Sequence, residues 1–500
     1  MRFSTWNLKM CGNHFGTVYI EKWVGISYKG GGGMFNMTKI KAVRGDGRSF
    51  YMNHLSSNDY YSEHEKVIGH WRGELAGDFG LWARNAESEE FCRFQRNINP
   101  MTGEKLTKRT VTGGIRFFDF QCAAPKSVSV LTLFDPRLVK AHEEAVCRAM
   151  DELERLAAVR ERVGENAQTR NYRITGRLVY AQFTHDTSRS LDPQLHTHNV
   201  VVNVTKDEDG SYKALEALEM CRAIRYAGKV YHNHLARKCR ELGYETVAHR
   251  DEKGRIVWFD LEGVPEEVME MFSKRRKEIE AEEQKFLEEH GRKPTLAENN
   301  FLSMTTRSNK MKSSTADKVR KFQINQLSPD QRNKLNEVVR NAARRGNLAS
   351  PVSQEQYVQM IRDVLPQLYE RESVLKLDKV LGETLNQNLG HVDLKMLKQA
   401  VREVPELRDL GGLDENPWFS TQEVIDRELY AIETVERQKE LLEPIAPEFV
   451  AFPGEESRSE QAGIIHALLK SKDRYNLFRG VAGSGKTSTL QELCRGLRSG

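Results

Sequence analysis

The chain has 500 residues, which by ordinary domain sizes is enough for about three domains. Its 76 basic and 71 acidic residues give a formal net charge of +5, a balance that neither requires nor excludes nucleic acid. The seven cysteines stand singly, with no CxxC pair, so they indicate neither a disulfide framework nor a thiolate zinc module. No apolar run reaches membrane-spanning length and no signal-peptide pattern opens the sequence, so we expect a soluble protein of the bacterial cytoplasm.

Residues 1–33 mix aromatics and glycines without sustained periodicity. We interpret them as a disordered leader or as a mis-called start, with Met34 or Met37 as the true initiator. Residues 34–330 then alternate strand-like and helical sequence, which is an α+β pattern. In its long helix, RLVKAHEEAVCRAMDELERLAAV, we expect Asp135 at the N-cap and a proline in the first turn.

Three tyrosines stand early in the chain, in SFYMNHLSSNDYYSEHEKV: Tyr51, Tyr60 and Tyr61. Exposed tyrosines beside polar residues more often pack or form hydrogen bonds than react. A nearby cation changes this, because it polarises a phosphodiester and steadies the charge that builds during attack by a phenolate. The tyrosines are therefore candidate nucleophiles only if a metal site lies beside them.

The run HDTSRSLDPQLHTHNVVVNV contains three histidines that predict such a site. His196 and His198 are two residues apart on a predicted strand, so both side chains point to one face. The preceding GRLVYAQFTH also reads as a strand, and the polar stretch between the two lets the chain reverse and brings His185 alongside. Three neutral imidazoles can converge on one divalent cation. The alternative is one catalytic or surface histidine with two bystanders.

Helical sequence dominates the rest of the chain. Residues 214–243 have apolar residues at helical spacing and end at Gly243. Charges dominate from 262 to about 345, where a solvated helix face and contact with a DNA backbone are both open readings. We interpret residues 331–445 as a helical linker or the N-terminal region of a helicase.

A phosphate-loop motif, GVAGSGKT, stands near the end of the chain. We expect a strand over LFRG before it and a helix after it, the context of the beginning of a RecA-like α/β domain over residues 446–500. Backbone N–H groups of the loop would cradle phosphates, the lysine would neutralise them, the threonine would hold Mg²⁺, and an upstream glutamine would read adenine. The predicted nucleotide-binding residues are Gly480, Gly483, Gly485, Lys486, Thr487 and Gln461.

No acidic Walker B strand follows the phosphate loop in the sequence as given. We therefore expect a nucleotide loop but no working helicase, with ATP and Mg²⁺ bound only where the motor is complete.

Together these motifs resemble conjugative relaxases of the TrwC/TraI (MobF) type. The resemblance rests on the tyrosines, on RFFDFQCAAPKSVSVL, on the histidine array, on GVPEEVMEMFSKRRKEIE and on GVAGSGKT, and it covers residues 34 to 310 with a weaker continuation. It implies an HUH-endonuclease fold, an antiparallel sheet flanked by helices, followed by helicase domains. The implied activity is site- and strand-specific nicking at an origin of transfer through a 5′-phosphotyrosyl intermediate, then religation, as plasmid mobilisation requires.

The resemblance also implies roles for individual residues. His185, His196 and His198 match the metal ligands, with Mg²⁺ or Mn²⁺ implied, although imidazoles suit zinc, cobalt or manganese better than magnesium. Asp119 matches an acidic residue that orients an imidazole or accepts the phenolic proton, and its alternative role is that of a local hydrogen-bond partner.

The tyrosines depart from the family pattern of two Tyr-Tyr pairs, because the first position reads Phe50-Tyr51 and the spacing to the second pair is longer. We predict Tyr60 or Tyr61 as the nucleophile, with Tyr51 as the alternative. The implied partners are single-stranded or hairpin DNA, held by basic surfaces in the 273–322 region, together with conjugation accessory and coupling proteins.

Three other functions compete with the relaxase. A rolling-circle replication initiator or a single-strand transposase of the HUH class also uses metal histidines and tyrosine, but the third histidine and the ATPase motif favour the relaxase. A catalytically degenerate DNA-binding remnant would explain Phe50. A metal-dependent hydrolase would cleave DNA without a covalent adduct.

Overall fold

The computed structural model describes residues 20–23, 35–41, 68–111, 113–161, 171–188, 190–252, 254–295, 298, 302, 316–412, 416–479 and 484–499. The chain forms two compact units. The first contains Met1–Leu368, Lys376–Val404 and Gly411–Pro417, and the second contains Tyr369–Leu375, Pro405–Leu410 and Trp418–Gly500. Among the described residues, every helix is too short or too polar to cross a lipid bilayer.

The strands are β1 Ile20–Trp23, β2 Phe35–Lys41, β3 Gly69–Arg72, β4 Asn85–Ala86, β5 Ile115–Ala123, β6 Ala158–Glu161, β7 Asn171–Ile174, β8 Tyr180–Thr187, β9 Pro193–Val202, β10 Thr205–Lys206, β11 Tyr212–Lys213, β12 Leu215–Glu216, β13 Thr246–Arg250, β14 Ile256–Leu261, β15 Leu375–Lys376, β16 Leu407–Asp409 and β17 Trp418–Thr421. The main sheet has the order β1-β2-β5-β9-β8-β3-β4, and its described pairings are antiparallel. The predicted α+β class with an antiparallel sheet is therefore confirmed. The backbone of β1 lies within the segment 1–33 that was expected to be a leader.

The helices are α1 Leu75–Asp78, α2 Ser88–Gln95, α3 Lys126–Leu131, α4 Arg137–Glu154, α5 Leu218–Arg222, α6 Ile224–Glu241, α7 Glu266–Met271, α8 Lys274–His290, α9 Ala316–Gln326, α10 Pro329–Arg345, α11 Gln354–Tyr369, α12 Leu377–Gln387, α13 Leu394–Val401, α14 Gln422–Arg437, α15 Ser459–Lys470 and α16 Lys486–Ser499. Helix α4 begins one residue later than expected. Pro136 occupies the N-cap position, and the Asp135 carboxylate accepts a hydrogen bond from the Arg137 backbone N–H at 3.0 Å.

Helix α6 ends against α10 at a position that requires glycine. Gly243 has a φ of +90°, a left-handed backbone that side chains other than glycine disfavour. A Cβ atom there would lie 2.0 Å from the carbonyl oxygen of Ala342. The glycine therefore permits a close approach of two backbones as well as the turn.

Two hydrophobic cores cover the two faces of the main sheet. Residues such as Phe118, Phe120 and Val201 face α4 and α6 in the larger core. Val200 and Val202 point to the other face, where they pack with residues of α1 and α2. The alternation of strand side chains explains why neighbours in β9 belong to different cores. The second core covers only part of its face, and the histidines of β8 and β9 lie further along that face.

The segment Lys376–Val404 packs on α4 and α6 within the first unit. Lys398 Nζ lies 2.6 Å from the largely buried carboxylate of Glu152 in α4. Lys229 of α6 pairs with Glu383 of α12 at 2.8 Å. This segment follows residue 330, the end predicted for the relaxase domain, and its ion pairs attach it to the two helices behind the main sheet.

The second unit has a smaller core of its own, formed by Ala446, Ala451, Phe452, Ile465 and Leu469. Strands β16 and β17 pair antiparallel within it. The strand expected over Leu477–Gly480 is wrong for its described residues 477–479, which have no regular structure. A strand that precedes a phosphate loop is normally buried in a sheet, whereas the Leu477 side chain here is 94% exposed.

Candidate active site

The three histidines meet on one face of the main sheet because β8 and β9 form an antiparallel hairpin. His185 of β8 lies directly opposite His196 of β9 in the strand register. His198 follows two residues later on the same face of β9. The predicted convergence of His185 with the other two histidines is therefore observed in the structure.

The three imidazole rings lie close together. Their centroids are 5.2 Å apart for His185 and His196, 5.6 Å for His185 and His198, and 5.5 Å for His196 and His198. Rings that share a cation through metal–nitrogen bonds of about 2.1 Å have centroids roughly 5 Å apart. Among the described residues, no group of three or more His, Cys, Asp or Glu side chains stands in a geometry that could hold a metal ion. The ring separations nevertheless come within about half an ångström of the shared-cation value.

Two of the rings are oriented by hydrogen bonds from Nδ1. That of His198 donates to Asp119 Oδ2 at 2.8 Å, and that of His196 donates to the backbone carbonyl oxygen of Gln194 at 2.9 Å. A carbonyl and a carboxylate oxygen can only accept, so both rings carry their proton on Nδ1. The nitrogen without a proton is then Nε2 in both rings, the arrangement that metal-binding histidines usually have.

Burial keeps two of the three imidazoles uncharged. It lowers the pKa of His196 to about 4 and the pKa of His185 well below its ordinary value, and the neighbouring histidines lower both further. The rings of His185 and His196 are therefore neutral near pH 7. A metal ion needs deprotonated imidazoles, so the protonation state of these two rings fits such a ligand.

Asp119 reaches the histidines from β5, the strand beside β9. Its partner in the β9 register is Val200, one step along the same face from His198. Oδ1 of Asp119 is buried and has no hydrogen-bond partner among the described residues. This carboxylate can therefore orient His198 with one oxygen and accept a proton with the other.

The predicted nucleophiles Tyr51, Tyr60 and Tyr61 lie outside the described residues. Gln121 of β5 is a further polar residue at the site. It pairs with His198 in the strand register and lies on the same face of the sheet as Asp119. Gln121 is not among the predicted site residues. Its alternation with Asp119 along β5 is the signal that identifies it.

An ordered basic loop between α2 and β5 is a further feature that the predicted motifs do not include. Asn97 holds this loop together, since its side-chain amide donates to the Thr107 carbonyl and accepts from the Thr107 backbone N–H. Lys105, Lys108 and Arg109 are exposed on it and form no ion pair with any described residue. The run KLTKRT within it is the sequence signal that identifies this positive surface.

The region predicted to hold DNA, residues 273–322, is only partly described. Helix α8 buries none of its residues. Arg276 pairs with Glu280 and Lys285 pairs with Glu282 along its surface. These intrahelical pairs fit a solvated helix face and leave less net positive charge there than in the loop before β5.

Part of the phosphate-loop motif is described in the second unit, and Gly480 and Gly483 lie outside the described residues. Gly485 has a φ of +74°, and α16 begins at Lys486, with Thr487 in its first turn. Gln461 Nε2 donates to the Ser484 carbonyl oxygen at 3.1 Å. The predicted adenine-reading glutamine therefore touches the loop itself.

Fold and site together define an α+β protein whose antiparallel sheet carries a cluster of three histidines, two of which are oriented by hydrogen bonds. The chain belongs to the TrwC relaxase family, which it matches over residues 44–328, more than half of its length.

Two relatives are multifunctional conjugation proteins TraI. One, from Escherichia coli, is 35% identical over 244 residues, which are 45% of this chain and 13% of that relative. The other, from Escherichia coli strain K12, is 34% identical over the same shares. The chain thus spans a small part of the length of these relatives.

Two solved structures of the conjugative relaxase TrwC are also similar. One is a metal-bound complex with oriT DNA, with 28% identity and a TM-score of 0.49 over 61% of this chain and 98% of that chain. The other is a complex with a 27-mer DNA comprising the recognition hairpin and the cleavage site, with 28% identity, a TM-score of 0.47 and the same coverage.

Proposed function

We propose that this protein is a conjugative DNA relaxase that nicks one strand at an origin of transfer and later religates it. The observation that carries the proposal is the oriented cluster of His185, His196 and His198 beside Asp119, in a chain of the TrwC relaxase family. Kinship with conjugation proteins TraI supports the biological setting, which is plasmid transfer. The proposal places the enzyme in the bacterial cytoplasm.

The three histidines would hold one divalent cation, Mg²⁺ or Mn²⁺. When bound, such an ion polarises a phosphodiester and stabilises the negative charge that develops on its oxygens. An all-imidazole ligand set suits manganese, cobalt or zinc better than magnesium. Among the two family candidates, the donor set therefore favours Mn²⁺.

A tyrosine, Tyr60 or Tyr61 with Tyr51 as the alternative, would supply the nucleophile. Its phenolate oxygen forms a bond to phosphorus, the bond from phosphorus to the 3′ oxygen breaks, and that oxygen takes a proton from water to leave as a 3′ hydroxyl. Oδ1 of Asp119, buried and without a described partner, is the acceptor we assign to the phenolic proton. Because the phosphotyrosyl ester conserves the bond energy, the reverse attack by a 3′ hydroxyl rejoins the strand without an external energy source.

DNA recognition would use the ordered basic loop before β5. Lys105, Lys108 and Arg109 offer three cations to backbone phosphates. Trp82, which lies between α1 and β4, has a side chain that is 60% exposed and could stack on a base. The 273–322 region would add further backbone contacts. We expect single-stranded or hairpin DNA as the substrate, with conjugation accessory and coupling proteins as partners.

The second functional element would be nucleotide binding at the phosphate loop. Gly480, Gly483, Gly485 and Lys486 would surround ATP phosphates and Thr487 would hold Mg²⁺, as in the RecA-like start of a helicase. The contact of Gln461 with Ser484 supports a role for this glutamine at the loop. In this proposal the relaxase domain spans 34–330, a helical linker or helicase N-terminal region spans 331–445, and the ATPase segment spans 446–500.

Nicking assays test the enzymatic proposal. Single-stranded oligonucleotides tiled from the DNA beside the gene, labelled at the 3′ end, are incubated with the protein and Mn²⁺. A labelled protein adduct that survives denaturing electrophoresis is expected, because the tyrosine retains the 5′ phosphate of the labelled fragment. Mass spectrometry of the adduct then identifies the tyrosine directly.

The variants Tyr51→Phe, Tyr60→Phe and Tyr61→Phe complete this test, with Tyr430→Phe, an exposed tyrosine of the second unit, as the control. Loss of the adduct in one of the three variants supports the mechanism. Adducts in all three would contradict the assigned nucleophiles. Cleavage without an adduct would identify a metal-dependent hydrolase, and binding without cleavage a DNA-binding remnant.

A further inference from the structure

The face of the β8–β9 hairpin opposite the three histidines is polar, although it is buried in the larger core. Thr184 and Thr197 stand opposite each other in the register, and their hydroxyl oxygens are 3.0 Å apart. Thr197 lies between His196 and His198 in sequence, so its side chain points away from theirs. It has no exposed surface.

The hydroxyl pair is the end of a longer chain of hydrogen bonds. His142 of α4 places Nε2 2.8 Å from Thr197 Oγ1 and Nδ1 2.7 Å from the Tyr231 hydroxyl of α6. His142 and Tyr231 are both fully buried. Four side chains from α6, α4, β9 and β8 are thus linked in a row beneath the histidine cluster.

Every member of this row can take its part in the hydrogen bonds. The hydroxyl groups of Thr184, Thr197 and Tyr231 can each donate and accept, and the neutral His142 imidazole donates from one ring nitrogen and accepts at the other. Both ring nitrogens of the buried imidazole are therefore satisfied within the row.

The row of hydrogen bonds affects the histidine cluster because its third member, Thr197, is part of β9. A displacement of the backbone at Thr197 moves His196 and His198 together, while the bond to Thr184 ties the same point to the residue before His185. Metal sites tolerate errors of only about 0.2 Å in ligand distance, so small shifts of one strand matter. A buried polar network of this kind holds one arrangement, whereas an apolar contact would allow sliding.

We propose that Thr197, His142 and Tyr231 are positioning residues for the histidine metal centre. They hold β9 in the position at which all three imidazoles can bind one cation. The inference rests on the proposed function, since it presumes that the cluster binds metal. It assigns a role to three buried residues that neither touch DNA nor contact the cation.

The test measures Mn²⁺ affinity of the full chain by titration calorimetry, without DNA. Thr197→Val keeps the shape of the side chain and removes its hydroxyl, whereas Thr197→Ser keeps the hydroxyl. Thr384→Val is the matched control, because Thr384 is equally buried and its hydroxyl bonds only to the Val380 carbonyl. We expect affinity about tenfold weaker for Thr197→Val, near wild type for Thr197→Ser, and unchanged for Thr384→Val.

Tyr231→Phe provides a second variant, at the end of the hydrogen-bonded row that lies furthest from β8, in case Thr197→Val does not fold. It should weaken Mn²⁺ binding about threefold and alter the electron paramagnetic resonance spectrum of the bound ion, which a loss of stability alone does not do. Folded variants that bind Mn²⁺ as tightly as wild type overturn the positioning role and leave the relaxase proposal standing. A wild-type chain that binds no Mn²⁺ overturns both.

Discussion

Nδ1 of His198 donates a hydrogen bond to Oδ2 of Asp119 across 2.8 Å, from β9 to the neighbouring β5. The two residues are 79 positions apart in the chain. This bond holds the proton of His198 on Nδ1 and leaves Nε2 as the nitrogen that can bind a cation. The role of the carboxylate can therefore be separated from that of the ligands themselves.

Replacing this carboxylate should weaken metal binding without removing a ligand. We predict that Asp119→Ala lowers Mn²⁺ affinity about 10- to 100-fold, because His198 loses the group that orients it. Titration calorimetry of the purified chain measures this. Asp330→Ala, at an exposed position in the first turn of α10, is the control. An unchanged affinity in Asp119→Ala would show that the carboxylate does not orient the ring.

The free energy of unfolding should decrease with falling pH more steeply than the titration of carboxylates alone explains. Burial, with a smaller contribution from His196, lowers the pKa of His142 to about 3 from its ordinary 6.5. Below pH 6.5 the unfolded chain therefore binds a proton that the folded chain excludes. The stabilisation is complete above pH 6.5 and is lost as pH falls toward 3, at up to about 1.4 kcal/mol per pH unit.

Urea unfolding between pH 7.5 and 5.5 measures this dependence. The variant His142→Gln keeps a hydrogen-bonding side chain but cannot take up a proton near these pH values. Its free energy of unfolding should change less with pH than that of wild type. The two slopes should differ by at most the value for one bound proton, about 1.4 kcal/mol per pH unit. Equal slopes in the two proteins would mean that His142 is not the titrating group.

The ordered basic loop should contribute to DNA affinity in a salt-dependent way. Each of Lys105→Ala, Lys108→Ala and Arg109→Ala is expected to weaken binding of single-stranded oligonucleotides and to reduce the slope of log K against log salt by about 0.7. Fluorescence anisotropy over a range of salt concentrations gives both quantities. Lys334→Ala, an exposed lysine of α10, should leave the slope unchanged. A salt slope equal to that of wild type in all three loop variants would show that the DNA contact lies elsewhere.

Gly69 should not tolerate even a methyl group. A Cβ atom there would lie 2.3 Å from the ring of Phe183, which is fully buried and stands opposite His198 in the register. We predict that Gly69→Ala lowers the free energy of unfolding by about 1–3 kcal/mol, since the ring must move within a packed core.

Gly77 in α1 offers the matched comparison, because a Cβ atom there meets nothing within 4 Å. Gly77→Ala should stabilise the protein by about 0.5–1 kcal/mol. Chemical denaturation of the two variants decides the matter. Equal stability of both would contradict the packing argument.

Much of the site could be predicted from sequence because its signals are local. The spacing of His196 and His198 fixes a shared face, and the polar turn before them brings His185 alongside, as the register shows. The polar layer behind them could not be predicted, since alternation tells which side chains share a face but not which helix packs on it. His142 and Thr197 meet across 55 residues, through tertiary packing alone.

The strand expected before the phosphate loop failed for a related physical reason. The run LFRG is apolar enough for a strand, but a strand needs neighbours to accept its backbone hydrogen bonds. The motif itself and the helix after it follow from local chemistry, and α16 begins where the motif predicts. The local sequence pattern was sufficient to predict the helix, but it could not show whether another strand pairs with LFRG.

The three histidines occupy a single hairpin, whereas Asp119 joins them only when β5 docks against β9. The hairpin by itself supplies all three imidazoles, but the carboxylate that orients His198 comes from a strand far away in the sequence. A measurement of metal affinity on this protein would consequently report whether β5 has docked against the hairpin, in addition to whether the ligands are present.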